Sequence, residues 1–258
     1  MRISRKGNRY GWIPDIPDHR DALFAPHPAQ LADLPASVDL RPVCPPVYEQ
    51  GELGSCTANA IAGAFEFEQM KQNAAKDFLP SRLFVYYNER VLEHTTSVDS
   101  GAQLRDGLKS VAKQGVCPED AWPYNIARFR DCPPDMAYAL AGTHKVTLYS
   151  RVPQDLASMK ACLAAGRPFV CGITVYTSFE SPDAAKTGRI TMPQLFEHRL
   201  GGHAVMIVGY DDALGAFKLR NSWGRLWAQD GYADIPFAYL TNAWLARDFW
   251  TISLVEGA

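Results

Sequence analysis

The sequence predicts an α+β molecule built as two lobes, and three observations carry that fold class. Apolar residues recur with helical spacing up to about residue 142, and strand-like runs take over after it. The 258 residues, 47% of them hydrophobic, suffice for one large domain or two lobes sharing a cleft. No internal repeat or low-complexity tract breaks the pattern. The expected organisation is a lead segment over residues 1–34 and a domain over 35–258, with a helical lobe at about 50–140 and a β lobe at about 141–258.

Taken in chain order, residues 1–34 read as an extended segment whose turns are fixed by Pro14, Pro17, Pro26 and Pro28. Trp12, Ile13 and Phe24 can anchor it on a surface. The stretch "SVDLR" is a short strand signal, and "PVCPPVYEQG" is too rich in proline to be anything but loop. From Ser55, Ala58, Ile61, Ala62 and Phe65 recur at intervals of three and four, marking one buried face of a helix running towards Lys71. "SRLFVYYNERVLE" and "AQLRDGLKSVAKQG" also read as helices, the second ending at Gly115, a suitable left-handed cap. In the second half, "HKVTLYSRV", "PFVCGITVY", "HAVMIVGY", "AFKLRNSW" and "WTISLV" read as strands. One helix is expected among them, at "PQDLASMKACLAAG".

Bulk properties exclude several function classes. A formal net charge of -2 leaves no excess of cations for a phosphate backbone, so nucleic acid is not an expected partner. The one basic cluster, "RISRKGNR" at residues 2–9, reads as a solvated tail. No apolar run approaches the roughly 20 residues of a membrane-spanning helix. The first 30 residues lack the apolar core of a cleavable signal, which favours a cytoplasmic location over non-classical secretion. The six cysteines, at positions 44, 56, 117, 132, 162 and 171, include no C-x-x-C pair, and "EHRLGGH" has the wrong order and spacing for a zinc helix. No metal site is expected.

The stretch "GGHAVMIVGYDDALGAFKLRNSWG" contains two apolar strands joined by a polar turn, and it predicts a hairpin. Pairing symmetric about residue 212 sets Ile207 opposite Phe217, Val205 opposite Leu219 and His203 opposite Asn221. Opposed side chains lie about 4.5–5.5 Å apart at Cβ on one face. A carboxamide oxygen there would accept the imidazole N–H and fix both tautomer and orientation. Taken alone, His203 reads more readily as a satisfied structural histidine.

"YEQGELGSCTANA" places Cys56 at the first turn of a helix, where unsatisfied N–H groups and the helix dipole favour thiolate over thiol. The expectation is a lowered pKa, and a thiolate–imidazolium pair if His203 approaches. Gln50 lies six positions earlier on a loop that Gly51 and Gly54 let fold tightly. Its side-chain NH₂ and the Cys56 backbone N–H would supply two donors for a tetrahedral oxyanion. In isolation, Cys56 also reads as a small buried hydrophobe, and Gln50 as a surface residue.

"QGELGSCTA", "GGHAVMIVGY" and "NSWGRLWAQDGY" resemble the three signature blocks of the papain-like cysteine peptidases, in that family's chain order of Gln, Cys, His, Asn. The likeness runs from "LPASVDLRP" at residue 34 to "GYADI" near 235. It implies Cys56 as nucleophile, His203 as general acid/base, Asn221 as orienter of His203, Gln50 as oxyanion donor, and Trp223 as a cover for the His–Asn hydrogen bond. It also implies a two-lobed papain-like fold, a helical N-terminal lobe and an antiparallel β-barrel-like C-terminal lobe, with a peptide or protein substrate bound in the cleft of a monomer and no cofactor. "DSGAQLRDG" resembles the family's glycine-bearing rim, nominating Ser100 and Gly101, while Gly172 and Ala204 are placed at the pocket for the second residue before the cut.

Three departures stand out: Leu53 where most members have a disulfide cysteine, Thr57 where tryptophan usually follows the nucleophile, and Gly202 where many have Asp or Asn. The first removes the usual mark of an oxidising compartment. The lead segment is far shorter than the usual prosegment and resembles that of short-leader bacterial members. Its stiff "GWIPDIPD" suggests an intramolecular inhibitor, with Trp12 filling a pocket. Two other readings stay open at this level: a binding protein without turnover, and an acyl-transfer enzyme that passes its thioester to an amine.

Overall fold

A computed structural model describes residues 10–256 apart from 74 and 76; the basic cluster at residues 2–9 lies outside the described residues. In chain order the elements are α1 (Pro28–Ala32), β1 (Ser37–Asp39), α2 (Cys56–Asn73), α3 (Arg82–Leu92), α4 (Leu104–Lys113), α5 (Asp135–Ala141), β2 (Val146–Arg151) and α6 (Leu156–Ala164). They continue with β3 (Phe169–Tyr176), α7 (Pro182–Thr187), β4 (Arg199–Asp211), β5 (Ala216–Arg220), β6 (Tyr232–Pro236), α8 (Phe237–Thr241) and β7 (Ala246–Val255).

Helices α2 to α5 precede β2, as the change of period near residue 142 predicts, but the short helices α7 and α8 join the expected α6 among the later strands, each too brief to show a helical period. α3 starts on Ser81, whose hydroxyl accepts from the Phe84 N–H. α4 runs out at Gln114, and Gly115 follows at φ 85°, the left-handed position expected of it. The lobes are not contiguous in sequence, however. β1 pairs antiparallel with β4, so residues 37–39 belong to the sheet although they precede the helical half. The hydrogen-bonded path is β2-β7-β3-β4-β5-β6, with β1 added to β4.

Two apolar cores result. One gathers α2, α3 and α4 through Ile61, Phe65, Phe84 and Leu108, and the other lies against the sheet through Met159, Phe169, Ile207 and Phe217. Full burial of each such side chain contributes about 1.5–3 kcal/mol. α2 packs against α3, α4, β4 and β7. It is therefore buried all round from Cys56 to Gln69, where the sequence pattern marks one face only. Two of its buried carboxylates find partners, Glu66 accepting a hydrogen bond from Tyr48 and Glu68 one from Gln72, whereas the Gln69 amide has none among the described residues.

The hairpin register differs from the symmetric one. Ile207 pairs with Leu219 and Met206 with Arg220, and a bulge separates Ile207 from Gly209. Two features cause the offset. The turn holds four residues, Asp212 to Gly215, with Gly215 at φ 60°, and the bulge takes back one step of the shift before Ile207. β5 ends at Arg220, so Asn221 is not a ladder partner of His203; the residue paired with His203 is Ile173 of β3.

Candidate active site

Cys56 is the first residue of α2, on the central helix and inaccessible to solvent. Ser55 ends the loop: its carbonyl accepts the Asn59 N–H at 3.0 Å, and its hydroxyl lies 2.5 Å from the Tyr124 hydroxyl. Gln50, also fully buried, is tied to both lobes. Its backbone N–H donates to Ser222 O at 2.9 Å, its Oε1 accepts from the Ser222 hydroxyl at 2.6 Å, and its Nε2 donates to Leu53 O at 3.0 Å. These bonds fix the amide with its NH₂ towards the loop that leads into Cys56. Leu53, in place of a cysteine, packs in the core at 2% exposure.

On the opposite wall, β4 carries His203. Its Nε2 lies 2.8 Å from Asn221 Oδ1, which also accepts the Ser222 backbone N–H at 2.8 Å. A carboxamide oxygen only accepts, so Nε2 carries the hydrogen and the lone pair sits on Nδ1. Nδ1 has no hydrogen-bond partner among the described residues. The Trp223 ring stacks on the imidazole, centroids 4.9 Å apart at 30°, and closes that side to water. The contact predicted between His203 and Asn221 is present, but it is made by a residue just beyond the strand end. The next residue, Ala204, directs its backbone N–H at the Cys56 sulfur, which brings the two walls together.

The lead segment lies in this cleft. The Ala102 N–H donates to Gly11 O at 2.7 Å, the Ile13 N–H to Ala102 O at 3.0 Å, and the Trp12 N–H to Gly202 O at 3.0 Å. The segment thus bridges the helical wall and β4. The Gly11 N–H points at the Cys56 sulfur. Tyr10 meets His203 and Trp223 edge-on, and its hydroxyl bonds Glu180. Beyond Trp12, Asp15 receives the Trp250 indole N–H at 2.9 Å, and Asp21 pairs with Arg105 at 2.5 Å and Arg151 at 3.3 Å. From residue 25 onward contact loosens, and α1 buries no residue.

Glycines make room for this packing. A Cβ at Gly172 would stand 1.8 Å from the Trp12 ring, one at Gly101 2.0 Å from Gly11 O, and one at Gly202 2.4 Å from Trp12 O. The last value accounts for the glycine ahead of His203: a side chain there would push the segment out. Gly172 and Ala204 are cross-strand neighbours in β3 and β4, and Ala204 shares a core cluster with Trp12. Gly101 adopts φ 73°, so the rim bends as only glycine does readily. Ser100 does not face the segment; its hydroxyl bonds Thr95 and Gly101 O within its own loop. The pairing residue is Ala102, one beyond Gly101. Sequence reading missed it, since a backbone edge has no residue signature, and it missed Asp248, which accepts the Trp12 indole N–H at 3.2 Å from β7, far from the signature blocks.

Burial reverses the expected ionisation. Desolvation pushes the Cys56 thiol up to about 11, against the lowering effect of the Ala204 and Gly11 N–H groups, and it pulls His203 down to about 4 despite the Asn221 bond. The covered site therefore holds neutral thiol and neutral imidazole. The expectation of a lowered thiol pKa considered the helix terminus but not the complete burial of the sulfur. All six cysteines carry free thiols, and Cys132 alone is exposed.

Comparison with known proteins agrees with this arrangement. The model of the papain family cysteine proteases matches residues 34–242. Xylellain, a cysteine protease from Xylella fastidiosa, superposes with a TM-score of 0.92 at 45% identity, covering 99% of this chain and 100% of that one. An uncharacterized peptidase C1-like protein of Acanthamoeba polyphaga mimivirus is 40% identical over 99% of this chain and 90% of its own length. A procathepsin L2 from the larval midgut of Tenebrio molitor shares the fold, with a TM-score of 0.74 at 23% identity over 95% of this chain and 78% of that one. With a match over most of its length, and a helical wall and β wall meeting at a buried cysteine and histidine, this chain belongs to the papain family of cysteine proteases.

Proposed function

We propose that this cysteine protease cleaves peptide bonds with Cys56 as nucleophile, His203 as general acid/base, Asn221 as its orienter and the Gln50 NH₂ and Cys56 N–H as oxyanion donors. The observation that carries the reading is the His203 ring, fixed at Nε2 by Asn221 and left with its lone pair on Nδ1, one residue from Ala204, whose N–H is directed at the Cys56 sulfur. With the cleft open and hydrated, Nδ1 takes the thiol proton and the thiolate attacks a substrate carbonyl carbon. Negative charge then forms on the carbonyl oxygen, where the two N–H donors hold it. Imidazolium returns its proton to the departing amine, and water releases the acyl group by the reverse sequence.

The same reading makes the lead segment an intramolecular inhibitor. It brings the Gly11 N–H to the sulfur and fills the cleft between the Ala102 edge and β4, where a substrate backbone would have to lie.

The test is iodoacetamide labelling with peptide mapping, alongside turnover of a fluorogenic peptide, for the full-length chain and for a chain beginning at Leu34. Preferential labelling at Cys56 in the shorter chain that disappears in His203→Ala supports the triad. Equal activity of the two chains rules out the inhibitory role. Transfer of the acyl group to an added amine in preference to water would replace hydrolysis with acyl transfer.

A further inference from the structure

The lead segment divides at Pro14 into two parts with different kinds of partner. Residues 10–13 lie on the cleft edges, bonding the Ala102 N–H, the Ala102 carbonyl and the Gly202 carbonyl. Residues 15–24 lie further along, over the seam where α4 packs against β2 and β7. There Arg105, in the first turn of α4 and 4% exposed, gives its guanidinium to Asp21 at 3.0 and 2.5 Å and to the Ile16 carbonyl, and its backbone N–H to Asp15 Oδ1 at 3.1 Å. From the sheet, Trp250 of β7 donates its indole N–H to Asp15 Oδ2 at 2.9 Å, and Arg151 of β2 meets Asp21 at 3.3 Å. Asp15 and Asp21 thus each hold one group from the helical wall and one from the β wall.

The backbone makes a second tie. β2 ends the hydrogen-bonded path of the sheet, and an edge strand offers unpaired N–H and C=O groups. The segment takes them: the Arg151 N–H donates to Ala22 O at 2.7 Å and the Phe24 N–H to Arg151 O at 2.8 Å. Phe24, 9% exposed, packs in the core that lies against the sheet.

The two parts therefore differ in what their departure does. A peptide substrate restores the backbone bonds to Ala102 and Gly202 that residues 10–13 give up. It restores none of the bonds of residues 15–24, which lie beyond the cleft edges, so the walls would lose a tie made of charge-assisted hydrogen bonds, the strong class. We infer that residues 15–24 are a lasting strap of the active enzyme, holding the two walls together, and that activation removes or displaces only the part before Asp15. The match to the papain family begins at residue 34, so the strap lies ahead of the region that the family model covers. The inference rests on the proposed peptidase and inhibitor readings.

The test uses chains folded at full length and cut afterwards at inserted protease sites, one between Ile13 and Pro14 and a second between Ala25 and Leu34. A cut at the first site alone, followed by gel filtration, gives an opened enzyme that keeps the strap. Its turnover of a fluorogenic peptide should exceed that of the uncut chain, with the thermal midpoint little changed. After both cuts, the peptide of residues 14–25 should stay with the chain through gel filtration, as read by mass spectrometry. In Asp21→Ala it should be lost, because its affinity falls about tenfold or more with the hydrogen bonds to a charged group. The stripped chain should turn substrate over more slowly than the opened enzyme, and added peptide 14–25 of the unaltered sequence should restore it. Unfolding of the stripped chain that the peptide prevents counts as restoration. Turnover that appears only in the stripped chain overturns the boundary before Asp15. A stripped chain that works as well as the opened enzyme and ignores the peptide overturns the strap. If no form cleaves substrate, the peptidase reading fails, and the strap stands or falls on whether the peptide raises the thermal midpoint of the stripped chain.

Discussion

The two walls of the cleft are built on different principles. The helical wall supplies Cys56 and the Gln50 loop from one continuous stretch of 24 residues, Gln50 to Asn73, so its chemistry follows from one loop and one helix terminus. The β wall draws Gly172, His203, Asn221, Trp223 and Asp248 from β3, β4, the turn after β5 and β7, and both key placements depend on bulges. A local wall tolerates error elsewhere in the molecule, whereas a wall assembled across strands is only as well placed as their registers. The lead segment reads both, bonding Ala102 on one side and Gly202 on the other.

The predictions that probe this contrast begin with the two groups proposed to react. Cys56→Ala on the helical wall and His203→Ala on the β wall should each lower kcat of the opened enzyme by roughly 10⁶, and the double variant little further, because the two act as a unit. Additive losses would show that the walls work independently. Gln50→Ala should lower kcat about 10²–10³-fold with smaller change in KM, the signature of a donor used in the transition state; a loss confined to KM would assign it to substrate binding.

Next is the segment that spans the walls. Trp12→Ala in the full-length chain empties the Gly172 pocket and should weaken closure by about 3–5 kcal/mol, read as faster turnover of a small peptide without any cut. Gly172→Ala should do the same from the opposite side of the contact. In the unaltered full-length chain, iodoacetamide should label Cys132 first at pH 7–8, because Cys56 is covered and its thiol is pushed up to about 11. Cys56 labelling should rise towards pH 11 in the closed form and level off at lower pH once the segment is gone.

The smallest effect is on stability against pH. His203, held near 4 in the closed form against 6.5, contributes stability above pH 6.5 that is lost as pH falls towards 4. Asp248, raised to about 6 by burial, contributes in the opposite sense, favouring the closed form as pH falls through 6. Thermal melts of Asp248→Asn between pH 7 and 4 should therefore fall more steeply than those of the unaltered chain. Parallel curves would show that Asp248 titrates alike in both states.

Much of the site was legible because its parts repeat simple local signals. Apolar spacing located α2 and hence Cys56 at its start, and alternating apolar runs located β4 and β5 and hence the proximity of His203 and Asn221. What was misread traces to geometry that spacing does not encode. The register about residue 212 failed because a four-residue turn and a bulge intervene. The thiol pKa failed because desolvation by burial, which only the packed tertiary structure creates, outweighs the local helix terminus. Ser100 was chosen for its position on the rim, yet its hydroxyl turns into its own loop.

By itself, the sequence determined which residues are candidates for the chemistry and on which elements they sit, since helix termini, strand alternation and turn glycines are set by neighbours a few positions apart. Only the tertiary structure decided which of those groups are charged, what faces the sulfur and which carboxylate meets Trp12. Those properties depend on burial and on distances between segments far apart in the chain, and both come into being only when the lobes and the lead segment have packed together.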